Sequence, residues 1–185
     1  IGACIGREFS HELVATVSSL SDPELKAAFQ QLNKAQIILP QGAATQGSYI
    51  FKNALLQDAA YSSLLKEPRR QFHDRIADGL QSKFPEVVAN TPELVASHLA
   101  NAERFSEAVD QWREAGLRAK NASSNQEAAS HLENGLKYLE QEATSPIRDK
   151  RELELQAPLA LVLNALHGYG SPKTGTVYER AFALS

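Results

Sequence analysis

The chain has 185 residues, of which 43% are hydrophobic and 22% charged, and its net charge is −3 at pH 7. A chain of this length forms one large or two small domains and buries about 70% of the surface that its unfolded form exposes. The weak negative charge gives no electrostatic reason to expect nucleic acid or anionic membranes as partners, and the one cysteine, Cys4, excludes an internal disulfide and a cysteine-based zinc cluster.

Two helices are predicted in the first 34 residues. Apolar residues at helical spacing mark the first helix, namely Leu13, Val14, Val17 and Leu20. The same spacing marks the second helix at Leu25, Ala28, Phe29 and Leu32. The second helix opens with Ser21-Asp22-Pro23-Glu24, which predicts a capping box with proline in the first turn.

A β-hairpin is predicted next. The apolar run from Ile37 to Leu39 is stopped by Pro40, the loop from Gly42 to Gly47 follows, and Tyr49 to Phe51 supplies a second run of β-forming residues. A helix then starts at Asn53. Its apolar residues at helical spacing are Leu56, Ala59, Ala60 and Leu64, with Gln57 and Asp58 on another face. The next helix carries the stripe Phe72, Ile76 and Leu80.

Two helices followed by a two-stranded wing are typical of a winged-helix domain. The sequence therefore predicts a winged-helix-like domain with a short β-hairpin over residues 1–86. The stretch from Phe84 to Pro92 interrupts the helical pattern with two prolines and marks the expected domain boundary.

Several stretches of this first half carry a family resemblance. They are Gly6-Arg7-Glu8-Phe9, the Leu25 helix, the run from Tyr49 to Leu55, the run from Gln57 to Leu65, Arg70, His73 and Ile76-Ala77. The chain resembles the segment after the ATPase module of bacterial signal-transduction ATPases with numerous domains, and above all multidomain class III adenylate/guanylate cyclases. Those proteins have an N-terminal cyclase domain, an AAA-type ATPase and a C-terminal tetratricopeptide region. The resemblance runs over most of the chain and implies a regulatory piece without the catalytic modules.

Asn53 is the nucleotide-sensing candidate that the resemblance implies. In related ATPases a histidine at the start of the helix after the wing contacts the phosphate of bound ADP, and the matching residue here is Asn53. An asparagine donates a hydrogen bond but never becomes a cation, so a phosphate contact would be weaker and insensitive to pH near neutrality. The alternative is that Asn53 is the N-cap of its helix.

Residues 87–185 are predicted to form an antiparallel, TPR-like array of helices. The repeat-packing signature is a set of small and large residues at tetratricopeptide spacing, namely Trp112, Ala115, Gly116, Ala128, Leu132, Gly135 and Leu136. A competing register places Leu99 in a first helix and Ala108, Trp112 and Ala115 in a second, and the sequence leaves both registers open. In either register Trp112 is expected to be a core residue.

Four helices are expected to stack in this half, near 92–102, 105–122, 125–141 and 147–167. The last of them also alternates as a strand does, but its length and its Leu, Ala and Glu content favour a helix, with a kink at Pro158. The final residues, Val177 to Ser185, are expected to be a helix cut short, because the array is truncated at the C-terminus. An exposed apolar end is therefore expected near Phe182.

Catalytic patterns are few. Ser63 to Lys66 and Lys173-Thr174-Gly175 match the short motifs of serine β-lactamases, but that chemistry needs a large sheet, and none is predicted. The cluster of Gly168, Gly170 and Gly175 is interpreted as an interhelix loop. The histidines lie one to a helix without i, i+4 partners, so we expect no metal site, no cofactor and no enzymatic activity in this fragment.

Two functions remain compatible with these sequence features. The first is a cytoplasmic regulatory and protein-interaction region, which contacts upstream ATPase and cyclase modules through its first half and an unknown protein through its repeats. The second is a DNA-binding regulator with a helical sensor domain. The helix from Ser21 to Lys34 carries only Lys26 and Lys34 as cations against two acidic residues, which disfavours the second function. No membrane partner is expected, because no apolar run reaches transmembrane length.

Overall fold

A computed structural model describes residues 1–41 and 47–185 of the chain. It divides into two compact units, Ile1–Pro85 and Glu86–Ser185. The boundary that the sequence predicts, after residue 86, lies one residue from this division. The hairpin loop predicted from Gly42 to Gly47 falls outside the described residues except for Gly47.

The first unit combines short helices with a small sheet. Its elements in chain order are α1 (Gly2–Ile5), β1 (Glu8–Ser10), α2 (His11–Val17), α3 (Asp22–Lys34), β2 (Ile38–Gln41), β3 (Ser48–Phe51), α4 (Ala54–Ser62) and α5 (Lys66–Lys83). The predicted capping box is present at the start of α3, where the backbone N–H and the hydroxyl of Ser21 donate to the Glu24 carboxylate at 2.8 and 2.6 Å.

The described strands form one antiparallel sheet in the order β1-β3-β2. Ile38 of β2 lies opposite Phe51 of β3, as expected for the predicted hairpin. The sequence did not predict β1, whose Phe9 lies opposite Tyr49. Pro40 does not stop β2, which continues to Gln41. A proline fits there because β2 pairs with β3 alone and is an edge strand, where a missing N–H costs little.

Aromatic rings fill the core of the first unit. Phe9 is 4% exposed, and the centroid of its ring lies 5.4 Å from that of Phe51, 6.1 Å from that of Tyr49 and 6.2 Å from that of Phe29. These residues come from β1, β3 and α3, so the sheet and the helix share one core. The buried cluster also includes Ala3, Val14, Leu25 and Ile38.

The apolar stripe predicted on α4 is correct at Leu56, which packs on the core, and wrong at Ala59 and Ala60. No residue of α4 is fully buried, and Ala59 and Ala60 are exposed. Besides Leu56, the side of α4 that packs carries Gln57 and Tyr61. Gln57 reaches the unit through a hydrogen bond from its Nε2 atom to the Ala3 carbonyl at 3.4 Å. The alanines fit the helical periodicity, but an alanine side chain buries little apolar area. The larger side chains of the helix therefore determine which side packs on the core.

The second unit contains helices only, within the described residues. They are α6 (Pro85–Asn90), which begins at the unit boundary, α7 (Pro92–Asn101), α8 (Phe105–Asn121), α9 (Asn125–Leu139), α10 (Pro146–His167) and α11 (Pro172–Ala183). The four predicted helices of this half correspond to α7 to α10. The predicted mainly helical fold with a small antiparallel hairpin is therefore confirmed.

Two expectations about the end of the chain can be compared with the structure. Pro158 lies inside α10, which continues from Pro146 to His167. Phe182 on α11 is 84% exposed, as expected for an apolar end. None of the helices in the described ranges combines the length and the apolar character that crossing a membrane requires.

Candidate functional site

Two glycines of the repeat-packing signature each lie against a leucine of a neighbouring helix. A Cβ atom on Gly116 of α8 would lie 2.6 Å from the Cγ atom of Leu132 on α9. One on Gly135 would lie 2.8 Å from the Cδ2 atom of Leu155 on α10. Real Cβ atoms do not approach other heavy atoms so closely, so any larger residue at these positions would force the facing leucine to shift.

The other signature residues occupy the same interior to different degrees. Ala115, Ala128 and Leu132 are at most 2% exposed, and Leu136 is partly buried against the same core. Trp112 differs from the expectation of a core residue, because it is only half-buried. Its indole ring stacks on the imidazole of His131, with 5.5 Å between the centroids and 28° between the planes. This pair joins α8 to α9 at the edge of the core.

Ion pairs join α8 to α10 on one side of the array. The guanidinium of Arg151 on α10 contacts the Asp110 carboxylate of α8 at 2.7 Å and donates to the Ser106 carbonyl at 2.7 Å. The Arg113 Nε atom lies 3.3 Å from the Glu154 carboxylate, which adds a second link between these two helices.

The other side of the array is open between α7 and α9, over α8. One cavity of about 390 Å³ lies near the C-terminal half of α8. Its lining residues are Asn90, Glu93, Ala115, Arg118, Ala119, Ala122, Ser124, Glu127 and His131. A second cavity of about 580 Å³ is lined by Thr91, Glu93, Leu94, Ser97, Trp112, Ser130, His131 and Asn134. Because both cavities share Glu93 and His131, they form one elongated depression, which we call the α7–α9 groove.

The charged side chains that line the α7–α9 groove differ in whether they have a hydrogen-bond or ion-pair partner. Arg118 donates to the Ala89 carbonyl and, at 3.4 Å, to the Asn90 side chain, so its guanidinium caps the carbonyl end of α6. Glu93 on α7 and Glu127 on α9 form no ion pair or hydrogen bond with any side chain in the described ranges. The groove therefore has two uncommitted carboxylates on its walls.

Asn53, the nucleotide-sensing candidate, lies outside this groove and in the other unit. It is the N-cap of α4, and its Oδ1 atom accepts a hydrogen bond from the Leu56 backbone N–H at 2.9 Å. This contact uses the side-chain oxygen for the role that asparagine commonly has at helix starts.

A polar cluster in the first unit was not predicted from the sequence. The Tyr61 hydroxyl lies 3.0 Å from the His73 Nε2 atom, and the Arg69 guanidinium lies 4.4 Å from the centre of the Tyr61 ring. Burial lowers the pKa of His73 to about 4, with a smaller effect of the Arg69 charge. Burial also raises the pKa of the Cys4 thiol. Both groups are therefore neutral near pH 7, which suits packing better than nucleophilic chemistry.

The short catalytic motifs belong to different units of the chain. Ser63 lies in the first unit, where its hydroxyl donates to the Ala60 carbonyl at 2.7 Å. Lys173 and Gly175 lie in α11 of the second unit, on a helix and not on a strand. Gly168 and Gly170 fall between α10 and α11, but the expected interhelix loop does not include Gly175. Within residues 1–41 and 47–185, no three His, Cys, Asp or Glu side chains are arranged to hold a metal ion.

The groove residues could have been found from one signal in the sequence. Glu127, Ser130, His131 and Asn134 recur at i, i+3, i+4 and i+7, so they form a polar stripe along one face of α9. Sequence alone does not show whether such a stripe faces open solvent or a groove.

Comparison of the chain with protein-family models, with curated proteins and with solved structures finds no match.

Proposed function

We propose that this chain is a non-catalytic protein-interaction region whose second unit binds a peptide segment of a partner protein in the α7–α9 groove. The observation that carries the proposal is the difference between the two sides of the array. Side-chain ion pairs join α8 to α10 on one side, whereas two adjoining cavities lie over α8 on the α7–α9 side. Clefts between stacked helices are common peptide-binding surfaces.

A tetratricopeptide-like arrangement of the second unit is part of this proposal. It is supported by the close approach of Gly116 to Leu132, because repeats of this kind place small residues where the two helices of a pair meet. Ala128 is fully buried between the same helices. This packing favours the register that pairs α8 with α9 over the one that pairs α7 with α8.

A winged-helix-like arrangement of the first unit is also proposed. It is supported by the order of the elements from α1 to β3 and by the sheet order β1-β3-β2. The resemblance to signalling ATPase–cyclases then suggests the biological setting. In that setting the first unit contacts an upstream ATPase module, and nucleotide state or partner binding is passed on to cyclic-nucleotide synthesis.

The sheet order of the first unit also favours a second candidate function, DNA binding by a winged helix. The exposed charges of α3 oppose it. Lys26 is paired with Asp22 at 2.6 Å, so one of the two cations of this helix is already neutralised by a neighbour. A gel-shift experiment with random duplex DNA at low salt tests this candidate. Salt-sensitive retardation would favour DNA binding over the proposed function.

Affinity selection of random peptides tests the proposed function. We expect the parent chain to retain some capped nonapeptides that the double variant Ser97→Tyr/Ser130→Tyr does not retain. The two exposed serines line the groove, and the bulky tyrosine rings would fill it. Ala157→Tyr, at an exposed position of α10, adds the same ring elsewhere and is the matched control. Peptides that bind the parent and the blocked variant equally would overturn the proposed function.

A further inference from the structure

We infer that the α7–α9 groove recognises an extended peptide that places a lysine or arginine side chain between Glu93 and Glu127. The inference rests on the proposed function and specifies its ligand. Glu93 comes from α7 and Glu127 from α9, so the two carboxylates stand on the two helices that flank α8.

The floor of the smaller cavity suits the stem of such a side chain. Ala115 and Ala119 of α8 line it together with Ala122, which directly follows α8, and all three have short apolar side chains. Lysine and arginine have an apolar stem and a charged end, so the stem lies along the alanines while the end reaches the carboxylates.

The charges of the cavity also select a cation. Glu93 and Glu127 have no ion-pair partner among the described residues, whereas the guanidinium of Arg118 already binds the carbonyl end of α6. A cationic ligand group would therefore pair with the carboxylates of Glu93 and Glu127, whereas an acidic ligand would be repelled by them. Electrostatic complementarity of this kind decides specificity more than total affinity.

The adjoining larger cavity suits the next part of the same peptide. Trp112 and Leu94 supply apolar surface, and Asn134, Ser97 and Ser130 supply donors and acceptors of the kind that pair with peptide groups. An apolar side chain near the basic residue fits this cavity. We therefore expect the groove to bind a short peptide segment with one basic and one apolar residue, and not a single ion.

Three pools of capped nonapeptides test the inference. Each pool carries Lys, Glu or Leu at the fifth position and uncharged residues elsewhere, and retention by the parent chain is compared with retention by the Ser97→Tyr/Ser130→Tyr variant. We expect the Lys pool to be enriched. The dissociation constants of individual retained peptides are then measured from the fluorescence of Trp112, the only tryptophan of the chain.

Charge variants supply the decisive comparison. We expect Glu93→Gln and Glu127→Gln each to weaken binding of Lys peptides by about threefold to tenfold. Glu179→Gln, an exposed position of α11, is the control and is expected to bind as the parent does. Retention of the Leu or Glu pool equal to that of the Lys pool would overturn the inference and leave peptide binding intact, and so would unchanged affinity of Lys peptides for the combined Glu93→Gln/Glu127→Gln variant. Failure to retain any pool in a groove-dependent manner would overturn both.

Discussion

Gly116 of α8 packs directly against Leu132 of α9, so that a Cβ atom on the glycine would lie 2.6 Å from the Cγ atom of the leucine. Leu132 is fully buried, so it has little room to move. The contact brings α8 close enough to α9 for Trp112 to stack on His131. The packing of the core and the floor of the groove thus depend on the same helix pair.

The Gly116→Ala variant should be less stable than the parent. Its added methyl group overpacks the contact with Leu132, and we expect a loss of about 1–3 kcal/mol in the free energy of unfolding. Urea unfolding followed by Trp112 fluorescence measures it. Gly175→Ala is the matched control, because no atom lies within 4 Å of the added Cβ on α11, and a helical alanine there should gain roughly 0.5–1 kcal/mol. Equal effects of the two substitutions would contradict this account.

Asn53→Ala tests whether this residue acts as a helix cap. Loss of the hydrogen bond to the Leu56 N–H should cost about 1 kcal/mol of stability in the first unit, and Asn53→Ser should retain most of it. Hydrogen exchange of the α4 amides provides the measurement. If ADP protects those amides in the parent but not in Asn53→Ser, the nucleotide-sensing role would be favoured instead.

His73 should make the first unit sensitive to acid. Its pKa in the folded chain is about 4, below the ordinary value of 6.5, so the unfolded chain binds its proton first as the pH falls. Stability is therefore unaffected above about pH 6.5. It decreases below that pH by at most about 1.4 kcal/mol for each pH unit, until the pH reaches the folded pKa.

The measurement is hydrogen exchange of the α5 amides between pH 6.5 and 4, corrected for the intrinsic rates. His73→Gln should reduce the acid dependence, and His167→Gln, which removes an exposed imidazole, is the matched control. An unchanged acid dependence in His73→Gln would show that another group is responsible.

Glu152→Gln should destabilise the second unit. The buried carboxylate of Glu152 accepts from Arg180 at 2.5 and 2.8 Å and from Arg148 at 3.1 Å, and the contact with Arg180 holds its pKa below the usual range. We expect a loss of about 1–3 kcal/mol in the free energy of unfolding near pH 7. The stabilisation is present above the ordinary glutamate pKa and is lost as the pH falls through the lowered value.

Glu154→Gln on the same helix is the comparison for Glu152→Gln. The Glu154 carboxylate is more exposed and contacts Arg113 at 3.3 Å, so we expect a loss of at most about 0.5 kcal/mol. Similar losses for the two variants in urea unfolding would contradict the assignment of Glu152 as the buried centre of this ion-pair network.

The sequence predicted the long elements best. The bounds of α7 to α10 follow from sustained apolar periodicity, and α10 continues through Pro158, where a kink was predicted. The three-residue strand β1 was missed, since Glu8 to Ser10 is too short to show alternation, and its pairing with β3 is a long-range contact. The covered side of α4 was predicted only in part: Leu56 packs on the core, but Ala59 and Ala60, which fit the same periodicity, are exposed.

The groove could be predicted only in part. Trp112 and Ala115 belong to the repeat pattern, but the pattern describes how helices pack and not where they separate. Glu93 and Glu127 are ordinary surface residues in the sequence. Their relation arises because α7 and α9 pack on the same helix from two sides, and a single sequence does not contain that geometry.

The most direct test of the interaction account is amide chemical-shift mapping of the isotope-labelled chain during titration with a retained Lys peptide. We expect the changes to concentrate on the groove-lining segments of α7, α8 and α9, around Glu93, Trp112 and Glu127, and to disappear in the Ser97→Tyr/Ser130→Tyr variant. Changes confined to α10, α11 or the first unit would contradict the account.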